Sequence, residues 1–418
     1  MKIKKINARE ILDSRGWPTI ACSVELENGI VGEASVPSGA SVGKHEAVEL
    51  RDGDASHYFG RGVLCAIKNI TDVIAPVLCG KPADVIACDK IMCELDGTPN
   101  KSKLGANAIL AVSMGVARAQ AQAENKPLHL FLQELCGQVK SKISKAMFNI
   151  INGGIHAQNN LSFQEFMIVP AVGDSFADQL QAAVLIYHEL KNILVSEKLA
   201  TGVGDEGGFA PSLPDGEKPQ EELVLDLLLR ATEQAGFKPG EDVFFALDVA
   251  ASEFYDEKEE KYSLADKKLS ANELIDLYKN LCKKYPIYSI EDGLAQDDWA
   301  GWALMTKELG ANVQLVGDDI FVSNVLRIQR GIEEVAANAV LIKPNQIGTV
   351  SETIEAIKLC KKNNINIIVS HRSGETNDSF ISDLSVGACA NGLKAGAPVR
   401  GERVAKYNRL LAIEKTVV

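Results

Sequence analysis

The sequence predicts an α/β protein: a TIM-like eight-stranded (β/α) barrel preceded by a smaller α+β domain. Three observations carry that expectation. Apolar runs in the later part of the chain end abruptly on charged or polar residues: "VFFALDVA" on Asp248, "PIYSIEDG" on Glu291, "VQLVGDD" on Asp318, "AVLIKPN" on Lys343, and "INIIVSHRSGET" on His371 and Arg372. From Glu291 onward these endings, continued by Lys394, recur roughly every 25 residues, which leaves room for one helix and two loops per strand. The first third of the chain instead reads as strands followed by helices, the order of an α+β unit.

Buried carboxylates and amines are costly unless paired, hydrogen-bonded or bound to metal. One such ending marks only where a strand leaves the core, but a series needs a shared cause. In a parallel barrel the carboxyl ends of all strands meet at one mouth. An open doubly wound sheet is the competing arrangement. It gathers ligands at one crevice and does not use the end of nearly every strand.

The elements follow in order. "IKKINARE", "PTIACSVELE" and "IVGEASVP" are three β-like runs punctuated by Gly, Asn and Pro, as in a meander. Helical patterns cover about 61–79, 84–94 and 105–124, the last rich in Ala and Leu with little β-branching. A less regular connection near 125–143 leads to the second domain, which sets expected domains of 1–135 and 136–418. "AMFNIING" and "SFQEFMIVP" are closely spaced strands. Helices follow at about 175–198 and 219–235, then a hairpin turning in "DEKEEKYSLAD" and a helix at about 271–284. Paired early strands followed by two helices break plain βα alternation, so the barrel is a variant one.

Bulk properties narrow the function. The 418 residues are 46% hydrophobic and 24% charged, an ordinary globular composition, and the net charge of −12 argues against general nucleic-acid or anionic-membrane binding. No run approaches a membrane span, and "MKIKKINARE" lacks the apolar core of a signal peptide. Nine scattered cysteines without a CxxC pair read as reduced thiols, so a cytoplasmic location is expected.

Asp248, Glu291 and Asp318 at one mouth would repel one another. A hard divalent cation removes the problem, and oxygen-only ligands favour Mg²⁺ while leaving Mn²⁺ open. Unrelated acids bonding loop amides are the bland alternative. Lys343 faces the same mouth, where neighbouring cations disfavour its ammonium form and fit it to act as a base. His371, Arg372, Ser373 and Lys394 add positive charge and donors suited to an anionic substrate. Glu165, beside Gln164 in "FQEF" and not far after His156, is a candidate proton donor. On local sequence alone "GVGDEGGFAP", with Asp205 and Glu206, reads as a glycine-rich turn with exposed acids. "PSGASVGKHE" (37–46) is a small-residue loop able to close over a site, not a phosphate-binding P-loop.

"ILDSRG", "PSGAS", "NKSKLGANAILAVS", "NIINGG", "QEFMI", "GDEGG", "ASEFY", "SIEDG", "VGDD", "KPNQIGT" and "SHRSGET" occur in this order. On these segments the chain resembles bacterial-type enolases over essentially its full length. The resemblance implies the enolase variant of the barrel and reversible dehydration of 2-phospho-D-glycerate to phosphoenolpyruvate, with two Mg²⁺ per site. It implies Lys343 as the base for the C2 proton and Glu206, with Glu165 beside it, as the acid for the 3-hydroxyl. It further implies Asp248, Glu291 and Asp318 as ligands of one metal and Ser41 as a ligand of the second. His156, Gln164, Glu165, His371, Arg372, Ser373 and Lys394 match substrate-contacting positions. Such proteins are commonly homodimers, some octamers.

Trp17 stands where Asn is usual and Val42 where Thr is usual. The lost hydroxyl at position 42 leads to an expectation of weaker substrate binding or altered loop kinetics. The other functions weighed are proton abstraction from a different carboxylic acid and a non-catalytic scaffold or surface role. Ser41, Lys394 and "SHRSGET" favour phosphoglycerate over the first, and a pseudoenzyme would have lost an acid, Lys343 or His371.

Overall fold

The computed structural model describes residues 1–417 apart from 40–42, 215 and 217, so Ser41 and Val42 lie outside the described residues. Strands β1 (Ile3–Leu12), β2 (Pro18–Leu26) and β3 (Val31–Ser35) form an antiparallel meander in the order β1-β2-β3. The helix Ala106–Ala123 lies against this sheet, with nearly every residue buried. Its small side chains permit a very close approach. A Cβ on Gly32 of β3 would meet the carbonyl oxygen of Gly115 at 2.1 Å, so the helix backbone itself fills that space.

Residues 125–143 are more regular than their sequence suggests, because they contain the helix Leu128–Leu135. Eight residues are too few for an autonomous helix. This one buries His129, Phe131 and Leu132 and packs on the helix Phe380–Gly387, a partner some 250 residues away.

The later strands are β4 (Lys145–Asn152), β5 (Glu165–Pro170), β6 (Val243–Asp248), β7 (Tyr255–Asp256), β8 (Lys261–Leu264), β9 (Lys267–Leu269), β10 (Ile287–Glu291), β11 (Gln314–Gly317), β12 (Ala339–Ile342), β13 (Asn366–Ser370) and β14 (Gly392–Lys394). The expected single hairpin is a small three-stranded sheet, β7-β8-β9. The remaining eight strands close a barrel in the order β10-β11-β12-β13-β14-β4-β5-β6. Neighbours are parallel throughout, except that β5 is antiparallel to both β4 and β6. The barrel is thus the variant type, and the reversal brings the first residue of β5, Glu165, to the mouth opposite Asn152 and Asp248.

Alternate residues of each strand point to opposite faces, so residues two apart stack in tiers within the barrel. Met147, Met167, Ala246, Val316, Leu341 and Ile368 cluster as an apolar plug. Their strand neighbours Phe148, Phe166, Phe245, Leu315, Ile342 and Val369 join the larger core beneath the helices. Two residues nearer the mouth on the plug's face stand Asn149, Glu165, Asp248, Asp318, Lys343 and Ser370. Asp318, Lys343 and His371 directly follow the last strand residue rather than ending the strand.

The N-terminal sheet docks near this mouth. Ser38 and Gly374 exchange backbone hydrogen bonds of 2.7 and 2.9 Å. Arg118 grips Asp378 with two bonds of 2.6 Å, and Lys101 donates to Glu352 at 2.9 Å.

Candidate active site at the barrel mouth

The mouth holds a cavity of about 460 Å³, open space above it included, with polar walls. His156, Gln164, Glu165, Glu206, Asp248, Asp318, Lys343, His371, Arg372, Ser373 and Lys394 all line it, so the fold converges these sequence-distant candidates on one place. Glu291 lies just beneath, fully enclosed.

Lys394 occupies the centre of the floor. Its Nζ donates to Asp248 Oδ2 at 2.8 Å and to both oxygens of Glu291 at 2.9 Å, with Glu165 Oε1 at 3.1 Å. Burial disfavours its ammonium, but Asp248, Glu165 and Glu291 together hold its pKa well above the ordinary value. One ammonium therefore sits where three carboxylates would otherwise repel. Gln164 Nε2 donates to Asp248 Oδ2 at 3.3 Å.

Lys343 differs from the expectation. Burial does oppose its charge, and Arg372 and Lys394 add to that, yet the hydrogen-bonded Asp318 outweighs them and raises its pKa. Asp318 also accepts from Gln346 Nε2 at 2.8 Å. It is thus turned towards Lys343, while Asp248 and Glu291 are turned onto Lys394.

Glu206 also overturns its local reading. "GDEGG" is no exposed turn: Phe209 N donates to Ile150 O at 2.9 Å and Asn152 N donates to Phe209 O at 2.8 Å, so the segment is laid along β4. A Cβ on Gly208 would meet Asn152 Oδ1 at 2.7 Å, so a bulkier residue would prevent this approach. Glu206 is consequently buried, accepting from Asn149 Nδ2 at 3.0 Å, with His156 Nδ1 at 3.6 Å and His371 Nε2 at 3.5 Å. Glu165 lies in the same cluster, with ligand atoms of His156, Glu165 and Glu206 within 4.8 Å of one another. Burial and then Glu206 push the Glu165 carboxyl well up. For Glu206 burial acts the same way, but its neighbours His371, His156, Arg403 and Lys394 together outweigh it and lower its pKa; burial holds His371 itself well below its ordinary value, so the lasting positive charge here is that of Arg403 and Lys394. The two carboxyls are thus pushed in opposite directions, which favours protonation of Glu165 over Glu206.

Arg372 is gripped by Glu46, with Nη1 to Oε2 at 2.8 Å and Nη2 to Oε1 at 3.2 Å, and also donates to Asn345 Oδ1 at 3.2 Å. Three buried polar atoms at the cavity lack a hydrogen-bond partner among the described residues: His156 Nδ1, Glu165 Oε2 and His371 Nε2. Unpaired buried polar atoms occur elsewhere in the protein too, but three facing one cavity fit a place where a ligand, ion or water supplies the partner.

A second acidic group comprises Asp292, Asp318 and Asp319, whose oxygens also lie within 4.8 Å of one another. Asp292 accepts from the backbone N–H groups of Asp318 and Asp319, both at 2.9 Å. Burial, then neighbouring acids, raises the Asp292 pKa well above normal and takes Asp319 to about 7 and Glu291 to about 8. The surplus of buried oxygen donors, and an ammonium already acting as counter-ion, give the mouth the donor set of a divalent-metal site.

Two family models match the chain. "Enolase, C-terminal TIM barrel domain" covers residues 141–418, and "Enolase, N-terminal domain" covers residues 3–132. The chain belongs to the enolase family. It is a carbon–oxygen lyase whose reaction is the enolase dehydration of 2-phospho-D-glycerate to phosphoenolpyruvate, a glycolytic step on a small-molecule substrate. Among the described residues no helix is long and apolar enough to cross a membrane, and all nine cysteines are free thiols.

Several residues at this enolase-family site escaped the reading of the sequence. Asp292 and Asp319 were visible only as the second acids of "ED" and "DD". Glu46 closes the quoted "PSGASVGKHE", and Gln346 lies in "KPNQIGT". Arg403, in the C-terminal helix Gly401–Val417, carried no signal at all.

Proposed function

We propose that Lys343 removes the C2 proton of 2-phospho-D-glycerate and that the Glu165/Glu206 pair delivers a proton to the departing 3-hydroxyl. The observation that carries this reading is the strand order. β12, which leads into Lys343, lies four strands from β5, which starts at Glu165, so the base and the acid pair face each other across the barrel. That arrangement suits loss of the proton and the hydroxyl from opposite sides of one substrate.

Lys343 acts through its neutral amine. Asp318, the group that sustains its charge, is also among the acids suited to a cation, so engaging Asp318 elsewhere releases the amine. The carboxyl held on Glu165 is the proton store, and ionised Glu206 passes the proton on with His371 and His156 beside it. Arg372 and Lys394 supply fixed positive charge for the substrate's phosphate and carboxylate, with Ser373, Gln164 and His156 completing its contacts.

Asp248, Glu291 and Asp318 would hold one Mg²⁺, and Ser41 would serve a second. Bound Mg²⁺ supplies positive charge where the carboxylate gains its second negative charge on loss of the C2 proton. The protein further acts as a cytoplasmic homo-oligomer, which light scattering on the purified chain checks.

The deciding experiment follows phosphoenolpyruvate by its ultraviolet absorbance, with Mg²⁺ and with EDTA. Turnover abolished by EDTA and by Lys343→Ala is expected. Full activity without metal would sink the mechanism.

A further inference from the structure

Arg403 is fully buried and spends its guanidinium on the turn that carries His371. Nη1 donates to Arg372 O at 2.7 Å, and Nη2 donates to Ser373 O at 2.7 Å and to Asp205 O at 3.1 Å. One helix residue thereby ties the "SHRSG" turn to the loop that carries Glu206. Nη2 also lies 3.5 Å from Ser14 Oγ, and Nε lies 3.3 Å from Glu402 Oε1. One contact is chemically distinct: Nη1 lies 2.5 Å from Nδ1 of His371.

A guanidinium is a donor only, and it stays charged in proteins. Nδ1 of His371 must therefore present its lone pair. Which ring nitrogen bears hydrogen is set by the bond the other makes, so the hydrogen of the neutral imidazole resides on Nε2. A proton on Nδ1 would point at the cationic Nη1, which rules out the imidazolium on geometric grounds. Nε2 is buried, has no hydrogen-bond partner among the described residues, and lies 3.5 Å from Glu206 Oε2, on a residue that lines the cavity.

We infer that Arg403 is a positioning residue that locks His371 as a neutral Nε2–H donor, aimed at Glu206 and at the substrate oxygen that leaves beside it. His371 in this arrangement gives a hydrogen bond and carries no proton of its own through the reaction. The transferred proton stays with the glutamate pair. The inference rests on the proposed function for its catalytic consequence but not for the tautomer itself.

The test begins with the wild-type full chain. Nitrogen-15 spectra of labelled histidine at neutral pH, with the His371 signals assigned through a His371→Asn variant, should show Nδ1 unprotonated and Nε2 protonated. An Nδ1–H tautomer or an imidazolium overturns the inference, whatever the enzyme assay gives. In Arg403→Met the ring should populate both tautomers, with kcat lowered about ten- to a hundredfold, the scale of one misdirected active-site donor, and KM moved less than about threefold. Arg403→Lys, which keeps a cationic donor, should recover the single tautomer and part of kcat. A purely structural role instead predicts that both variants lose thermal stability in proportion to activity while the spectra of the folded fraction stay as in wild type. That outcome overturns the inference, and if Arg403→Met does not fold, the wild-type spectrum still decides. Absence of dehydratase activity in the wild type would sink the functional reading and leave the tautomer result standing.

Discussion

The two tiers of the barrel interior are built on the same strands, two residues apart, yet they are held by opposite physics. The lower tier is a dry plug of Met147, Met167, Val316, Leu341, Ile368 and their neighbours, stabilised by burial and close packing. The upper tier is a ring of charges in which Lys394 serves Asp248, Glu291 and Glu165, and Lys343 serves Asp318. Burying charge is unfavourable even when it is paired. The plug and the far larger core between barrel and helices stabilise the fold, and the upper tier draws on them to hold groups ready for a substrate and a cation. Some of the backbone in positive φ lies on the same side, at Ala250, Asp292, Val322 and Ser323 in the loops after β6, β10 and β11.

The sharpest way to break the upper tier is Lys394→Met. Removing the shared ammonium leaves a cluster of three buried acids, Asp248, Glu291 and Glu165, without its counter-ion, which costs about 3–5 kcal/mol. Thermal unfolding in EDTA should show this loss, and millimolar Mg²⁺ should restore much of it, because a cation can take the ammonium's place. An equal loss with and without Mg²⁺ would contradict the picture. The matching change below, Leu341→Ala, should cost about 2–4 kcal/mol through a cavity, with no Mg²⁺ rescue and little change in kcat while the protein stays folded. A large kcat effect would mean that the tiers are not separable.

The acids of the upper tier predict a pH dependence. Glu291 and Asp319 have folded pKa values raised to about 8 and about 7, so their contribution is present below the unfolded carboxylate range and is lost as pH rises through those values. The raised lysines titrate above this window and the lowered Asp318 below it, while the raised Glu165 and Asp292 act with the same sign as Glu291 and Asp319. Metal-free protein should therefore lose about 2 kcal/mol between pH 7 and pH 9, measured by urea unfolding, and saturating Mg²⁺ should flatten the slope. A rise in stability over that range would refute the assignment. The smallest effect is expected at the edge of the tier. Glu46→Gln weakens the grip on Arg372 without removing the guanidinium, so KM should change by severalfold, about 1 kcal/mol, with kcat nearly constant. Steady-state kinetics that instead show a fall in kcat at fixed KM would place Glu46 closer to the chemistry.

Much of this was legible in the sequence, for a definite reason. Strand periodicity puts residues i and i+2 on one face, so "ALD", "LVGD" and "VLIK" already encode an apolar plug topped by a charge. What failed was local. "GDEGG" has the composition of an exposed turn, and only its backbone pairing with β4 buries Glu206. The helix Leu128–Leu135 forms because a distant helix covers it. Trp17, flagged as unusual in sequence, stacks under the Arg61 guanidinium at 4.2 Å, within the N-terminal domain.

The sequence by itself determined the barrel and the charged strand ends at its mouth, because those depend on short-range alternation and spacing, while the other groups there followed only from the resemblance. Only the tertiary structure decided which charge each group meets: that Lys394 rather than Lys343 pairs with Asp248 and Glu291, that Glu165 and Glu206 are pushed in opposite directions, and that Arg403 contacts His371. Pairing in a buried site is governed by distances of a few ångströms between residues separated by tens to hundreds of positions, and no local pattern carries that information.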